Sequence, residues 1–381
     1  MPIATIRNAA LSGLAALALT TAAEARDLRF AHGFPPGSIG DQSHHVFADK
    51  AKELSNGDLN VQIFPRSLLS FTEMLGGLRD GIADIGFLLF PYSPAEFPNS
   101  NMVADMTMMW NLSDTDNRAA LAWTGALSEY VMLNCPECLD ELKAQNAVYT
   151  GSQASQYVML CANKKVVTAE DLKGLNLRAP GSHWARWAQA VGARTVSVPA
   201  NETFEGLTQG LVDCTLSPAV DLVDLSLMDA VKYIVVEVPG GGFGGTAQST
   251  VNSEVWKDLS KAEREIIMRA SAAMSGSQSW RYRMLHNEYL DRAKAKGIEV
   301  VEISPDLLTM TQDFTRADIQ GIGASYEAKF GIKNAGQKAE TMQKIFDRWM
   351  GLVANVESAE QLEALMWDEV LSKVDLDSYG L

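Results

Sequence analysis

The residues that could do chemistry are sparse, and most are poorly spaced for it. Gly240-x-Gly242-x-x-Gly245 fits the glycine pattern of a dinucleotide-binding turn and follows a strand-like run at 232–238. That chemistry needs a helix N-terminus behind the glycines, whose free N–H groups hold a pyrophosphate. Here the β-like Thr246-Ala247-Gln248-Ser249-Thr250-Val251 follows, so a flexible glycine-rich crossing of the chain is the better reading. No glycine precedes a lysine, which excludes a G-K-[S/T] phosphate loop, and no G-x-S-x-G nucleophile turn occurs. The histidines, His32, His44, His45, His183 and His286, lack the spacing of metal ligands, and no second C-x-x-C pairs with the first. Carboxylates abound without forming a local acid–base pair. The expectation is a protein with no catalytic residue, no metal and no cofactor.

Arg178 is the exception. It closes the strand-like run Leu175-Asn176-Leu177-Arg178, which Ala179-Pro180-Gly181 then ends, so its side chain can project into a cleft. A guanidinium offers two parallel charge-assisted hydrogen bonds to a carboxylate and stays charged when buried. Its bland alternative is a surface ion pair.

The ends and the composition set the compartment. Arg7 precedes an Ala/Leu-rich run from Ala9 to Ala22, and Ala23-Glu24-Ala25 supplies small residues for cleavage. This is the three-part pattern of a secretory signal, expected to span residues 1–25, and the run is too short to cross a bilayer of ~30 Å. The remaining length suggests two domains, and 47% hydrophobic residues supply a sizeable core. A net charge of −15 argues against nucleic acid or anionic membrane surfaces as partners. In an exported chain, Cys135, Cys138, Cys161 and Cys214 point to disulfides. Cys135–Cys138 is the expected bond within C-P-E-C, and the pairing of Cys161 and Cys214 is left open.

Strands and helices alternate, as in α/β folds. Strand-like runs fall at 28–31, 59–64, 83–88, 157–161, 175–178, 212–216, 232–238 and 298–303. Helical stripes fall at 42–55, 72–80, 115–133, 182–191 and 201–210. Ser260-Lys261-Ala262-Glu263 is a capping box opening one long helix to Lys296, with Gly276 as a place to bend. The chain beyond 303 reads as mostly helical.

The stretch from Thr168 to Asp213 resembles the second domain of the TRAP-transporter solute-binding proteins, the DctP-like family. The residues are Asp171-Leu172-Lys173-Gly174-Leu175, then Arg178 and Pro180, then Glu202, Phe204, Leu207, Gly210 and Val212-Asp213. Asn56-Gly57 with Phe64-Pro65, Gly81 with Asp84, and Asn252 with Trp256 fit the same family, so the likeness runs from about residue 27 to 303.

The resemblance implies a two-lobed periplasmic binding fold with hinge crossings, a long bracing helix and extra C-terminal helices. It divides the chain into lobe I at 26–150 plus about 245–285, and lobe II at 151–244 plus about 286–381. It implies a monomer in the periplasm that captures a small carboxylate by lobe closure and passes it to membrane-embedded permease subunits. Arg178 falls on the family's carboxylate-gripping arginine. Many members carry a second arginine where this chain has Tyr157-Val158, and an asparagine at Ser217, which points away from dicarboxylates and sialic acid. Gln153, Gln156 and Tyr157 are candidates to replace that charge with neutral hydrogen bonds. In the first lobe His32, Phe34, Glu73, Phe90 and Tyr92 follow strand ends that should face the cleft. Phe34, Tyr92, Trp110 and Trp184 suit an aromatic or partly apolar acid. Two rival readings are an exported enzyme using His32 or Glu73 opposite Arg178, and a ligand-sensing partner of a membrane receptor.

Overall fold

The computed structural model describes residues 25–112 and 117–381, so the signal segment lies outside the described residues up to residue 24. In chain order the first strands are β1 Arg26–His32, β2 Leu59–Pro65, β3 Ile85–Leu89, β4 Ala147–Val148, β5 Ser155–Cys161 and β6 Asn176–Arg178. They are followed by β7 Arg194–Val196, β8 Cys214–Pro218, β9 Tyr233–Val235, β10 Gly242–Phe243, β11 Thr246–Asn252 and β12 Glu299–Val301. One sheet runs β2-β1-β3-β11-β4; the other runs β12-β9-β5-β8-β6-β7, with β10 paired to β5. Parallel strands covered by helices on both faces must be apolar throughout, and Ile85 to Leu88 in β3 are all buried.

The chain crosses between the sheets at 149–154 and again at 236–245. The second crossing contains the glycine motif, and β11 rather than a helix follows it, so no phosphate cradle exists there. Its glycines serve close packing rather than flexibility. Gly240 and Gly241 have φ of 63° and 70°. A Cβ on Gly242 would stand 2.0 Å from the Trp110 ring and 2.4 Å from the Ser155 carbonyl.

The helix Lys261–Ala295 spans both halves. Ile267, Met268 and Met274 enter the core of the first sheet, and Tyr282, Tyr289 and Leu290 enter a core of the second. Its capping box forms as expected: the Ser260 hydroxyl accepts from Glu263 N at 3.2 Å, and Glu263 Oε2 accepts from Ser260 N at 2.7 Å. Gly276 has a different use from a bend. The helix Ala359–Glu369 crosses directly over it, and a Cβ there would lie 2.7 Å from the Ala359 carbonyl oxygen and 3.0 Å from Glu363 N.

The C-terminal region departs from the expected division. Residues 286–314 do pack with the second sheet, through Leu290, Val301 and Leu307. Beyond Ile322 the chain returns to the first core: Met342, Phe346 and Trp349 of helix Ala335–Leu352, and Leu362 and Met366 after it, all lie there. The reason is the apolar stripe on that helix, whose Trp349 ring fills the space over Gly125 of helix Ala119–Glu129. Both disulfides are present, Cys135–Cys138 and Cys161–Cys214. The second joins directly opposed residues of β5 and β8.

Glycine to alanine in an open helix position relieves about 1 kcal/mol of backbone entropy cost. Gly321, exposed in helix Pro305–Phe330 with open space around it, should therefore gain stability as Gly321→Ala. Gly276→Ala should lose ~1–3 kcal/mol, because overpacking against the crossing backbone outweighs that gain. Denaturant unfolding of the two variants checks the opposite signs.

Candidate functional site

The end of β6 builds the site. Arg178 pairs in register with Val196 of β7 and Thr215 of β8, so its side chain leaves the sheet where β6 and β7 stop. It is only 3% exposed, yet among the described residues no carboxylate forms an ion pair with it. Backbone carbonyls hold it instead. Nε donates to the Val198 carbonyl at 2.8 Å, and Nη1 donates to the Leu216 carbonyl at 3.1 Å and to Thr215 Oγ1 at 3.4 Å. Among the described residues Nη2 has no hydrogen-bond partner, which leaves one edge of the fork for another acceptor.

Arg178 lines a cleft between the two sheets, of about 650 Å³ including open solvent. Phe34, Phe71 and Phe87 wall it from the first sheet's side, with Phe34 edge-on to both others at 5.0 and 4.9 Å. Tyr157 and Phe243 wall it from the second, stacked at 5.8 Å between ring centres. Tyr282 of the long helix also lines it. Two contacts join the halves beside the cleft: Ala200 N donates to the Tyr92 hydroxyl at 3.2 Å, and Ile39 N donates to Asp224 Oδ2 at 3.0 Å.

Of the expected site residues, Arg178, Gln153, Tyr157, Phe34 and Tyr92 come together in this cleft. The Gln153 amide nitrogen is buried and has no hydrogen-bond partner among the described residues. The others lie elsewhere, for physical reasons. His32 is fully buried; its Nδ1 accepts from Phe34 N at 3.2 Å and its Nε2 reaches Asp41 at 3.1 Å. Burial lowers its pKa to about 4, against the pull of Asp41, and the neutral ring fixes the turn that presents Phe34. Glu73 is exposed and accepts from Ser70 N and the Ser70 hydroxyl at 3.0 and 2.7 Å. Phe90 is core, packed on Phe97 and Tyr149. Gln156 and Ser217 do not line the cleft; Ser217 is buried beside Thr215. Trp110 and Trp184 are also fully buried, and Trp184 backs the Tyr157 ring at 4.9 Å.

Sequence reasoning missed Asp221 and Asp224, which line the cleft just after β8. A signal existed: loops beyond strand ends are where α/β proteins bind ligands. Burial and the charge of Asp224 push Asp221 up to about 7, which Arg178 and the Ser217 hydroxyl only partly oppose. Burial pushes Asp224 up to about 6, against the Ile39 N–H and the charge of Arg281.

Two α/β halves, the crossings between them and a cleft at their junction define a two-lobed protein of the periplasmic-binding architecture. The model of the bacterial extracellular solute-binding proteins, family 7 (DctP), matches residues 30–324, and the chain belongs to that family. A solute-binding protein of Albidiferax ferrireducens is 22% identical over 306 residues, 77% of this chain and 86% of the relative. A TRAP solute-binding protein from Rhodoferax ferrireducens T118, solved with co-purified benzoate, superposes with a TM-score of 0.73 at 21% identity, covering 86% of this chain and 100% of that one. A marine-metagenome TRAP solute-binding protein specific for aromatic acids, solved with 3-hydroxybenzoate, gives a TM-score of 0.73 at 17% identity, covering 86% and 99%. At such identities the solved structures establish the shared fold. Among the described residues no helix is long and apolar enough to cross a membrane.

The raised pKa of Asp221 has a testable sign. The folded protein keeps a proton that the unfolded chain releases near the ordinary carboxylate pKa of about 4, so this site's contribution to stability falls as pH rises from there to about 7. Asp221→Asn cannot ionise. Its melting temperature should match the wild type near pH 4 and exceed it increasingly up to pH 8; a difference independent of pH would contradict the assignment.

Proposed function

We propose that this chain is the periplasmic solute-binding component of a TRAP-type secondary transporter, capturing an organic acid anion and delivering it to membrane-embedded permease subunits. The observation that carries the proposal is the free Nη2 edge of a buried, ion-pair-free Arg178 in an aromatic cleft between two lobes. A carboxylate placed there completes the fork, and a site closed from water strengthens that contact. The rings of Phe34, Phe71, Phe87, Tyr157 and Phe243 favour an aromatic or partly apolar acid. The benzoate and 3-hydroxybenzoate complexes of two structural neighbours support the same ligand class. Only a closed state touches ligand from both sides, so ligand shifts the population towards closure. The protein acts as a monomer and performs no chemistry. The two bases an enzyme reading would use are otherwise engaged: His32 serves the Phe34 turn and Glu73 serves Ser70.

A thermal-shift panel of aliphatic, sugar and aromatic acids tests this. Ligand at 100 times its dissociation constant adds ~2.7 kcal/mol, a rise of several degrees. Stabilisation confined to carboxylates is expected, and a folded protein that responds to none contradicts the proposal.

A further inference from the structure

The cleft holds more charge than a carboxylate needs. Among its donors are the free edge of Arg178 and the Gln153 amide nitrogen, buried with a residue exposure of 3% and without a partner among the described residues. Both suit an acceptor on the ligand. The same cleft also presents two carboxylates, Asp221 and Asp224. Among the described residues no lysine or arginine forms an ion pair with either; Arg178 and Arg281 act on them only from a distance. The formal charge of these three groups is already negative. A plain anion would add to that excess inside a space where charges interact strongly. A ligand with its own positive group would not.

Resting on the carboxylate reading above, we propose that the ligand is an amino-bearing carboxylate. Its carboxylate takes the free edge of Arg178 and the Gln153 amide, and its protonated amine lies against Asp221 and Asp224. Tyr282 also lines the cleft and feels the charge of both aspartates. Burial raises both aspartates, and the charge of Asp224 raises Asp221 further, with Arg178 and Arg281 opposing only in part. An ammonium group would return both to the ionised form.

Calorimetric titration of the mature chain at pH 8 separates the alternatives, using matched probes. The pairs are 4-(aminomethyl)benzoate with 4-methylbenzoate, and phenylalanine with 3-phenylpropanoate. The amino-bearing member of at least one pair should bind about 10-fold tighter than its partner, a difference of ~1.4 kcal/mol. That ratio should collapse towards one in Asp221→Asn and in the Asp221→Asn, Asp224→Asn double variant. Equal or tighter binding of the plain acids by the wild type overturns the inference, as does a preference that survives both variants. If none of these probes binds while another plain carboxylate does, the inference falls and the organic-acid reading stands. Silence from every carboxylate removes both.

Discussion

A guanidinium is buried at the end of β6 with no direct ion pair among the described residues, and much of the molecule is arranged around that fact. A lone buried guanidinium costs several kcal/mol unless dipoles or acceptors replace the lost water. Here the Val198 and Leu216 carbonyls and the Thr215 hydroxyl do so, each from the C-terminal edge of the second sheet or the loop beside it. β6 and β7 must therefore end together, beside a β8 that runs on to Pro218, for Arg178 to be held. Pro180 and Gly181 stop β6 at once, and the helix Ser182–Ala190 begins there.

That helix is itself pinned. Buried Asp105 accepts from the Ser182 hydroxyl at 2.8 Å, the Tyr326 hydroxyl at 2.7 Å and Arg186 at 2.9 Å, and it meets His183 Nδ1 at 3.1 Å. Burial alone would raise its pKa, but His183 and Arg186 hold it well below the usual carboxylate range. Arg186 in turn forks onto Asp318 at 2.6 and 2.7 Å. One ionised carboxylate thus ties the segment after Arg178 to the C-terminal helix Pro305–Phe330 and to the first half of the chain. The guanidinium is presented from a rigid support, while the walls opposite it, Phe34 and Tyr92, come from the other sheet's side. Closure of one half on the other is the step that would bring both sets of groups to one ligand.

The strand–helix alternation, the capping box and the glycine motif's place as a crossing rather than a phosphate cradle were legible because each is local; its close packing on the distant Trp110 was not. The 3.6- and 2-residue periods and the turn residues lie within a few positions of one another. Arg178 was legible because a strand end and a Pro-Gly stop place it without knowledge of the rest. The wrong first-lobe candidates share one cause. A position after a strand does not say which way the side chain turns, and Asp41 and the Phe97–Tyr149 core claimed His32 and Phe90. Tyr282 was beyond reach, since nothing within a 35-residue helix marks which turn passes the cleft. The C-terminal helices were misassigned because their amphipathic stripe announces burial without naming the surface that receives it.

The central claim is that Arg178 grips the ligand's carboxylate, and calorimetric titration of Arg178→Ala with the strongest carboxylate from the panel tests it most directly. Loss of a charge-assisted bidentate contact in a closed site should abolish measurable binding, while far-ultraviolet circular dichroism and a cooperative melt remain those of a folded protein. Binding by the folded variant at the wild-type affinity would contradict the account.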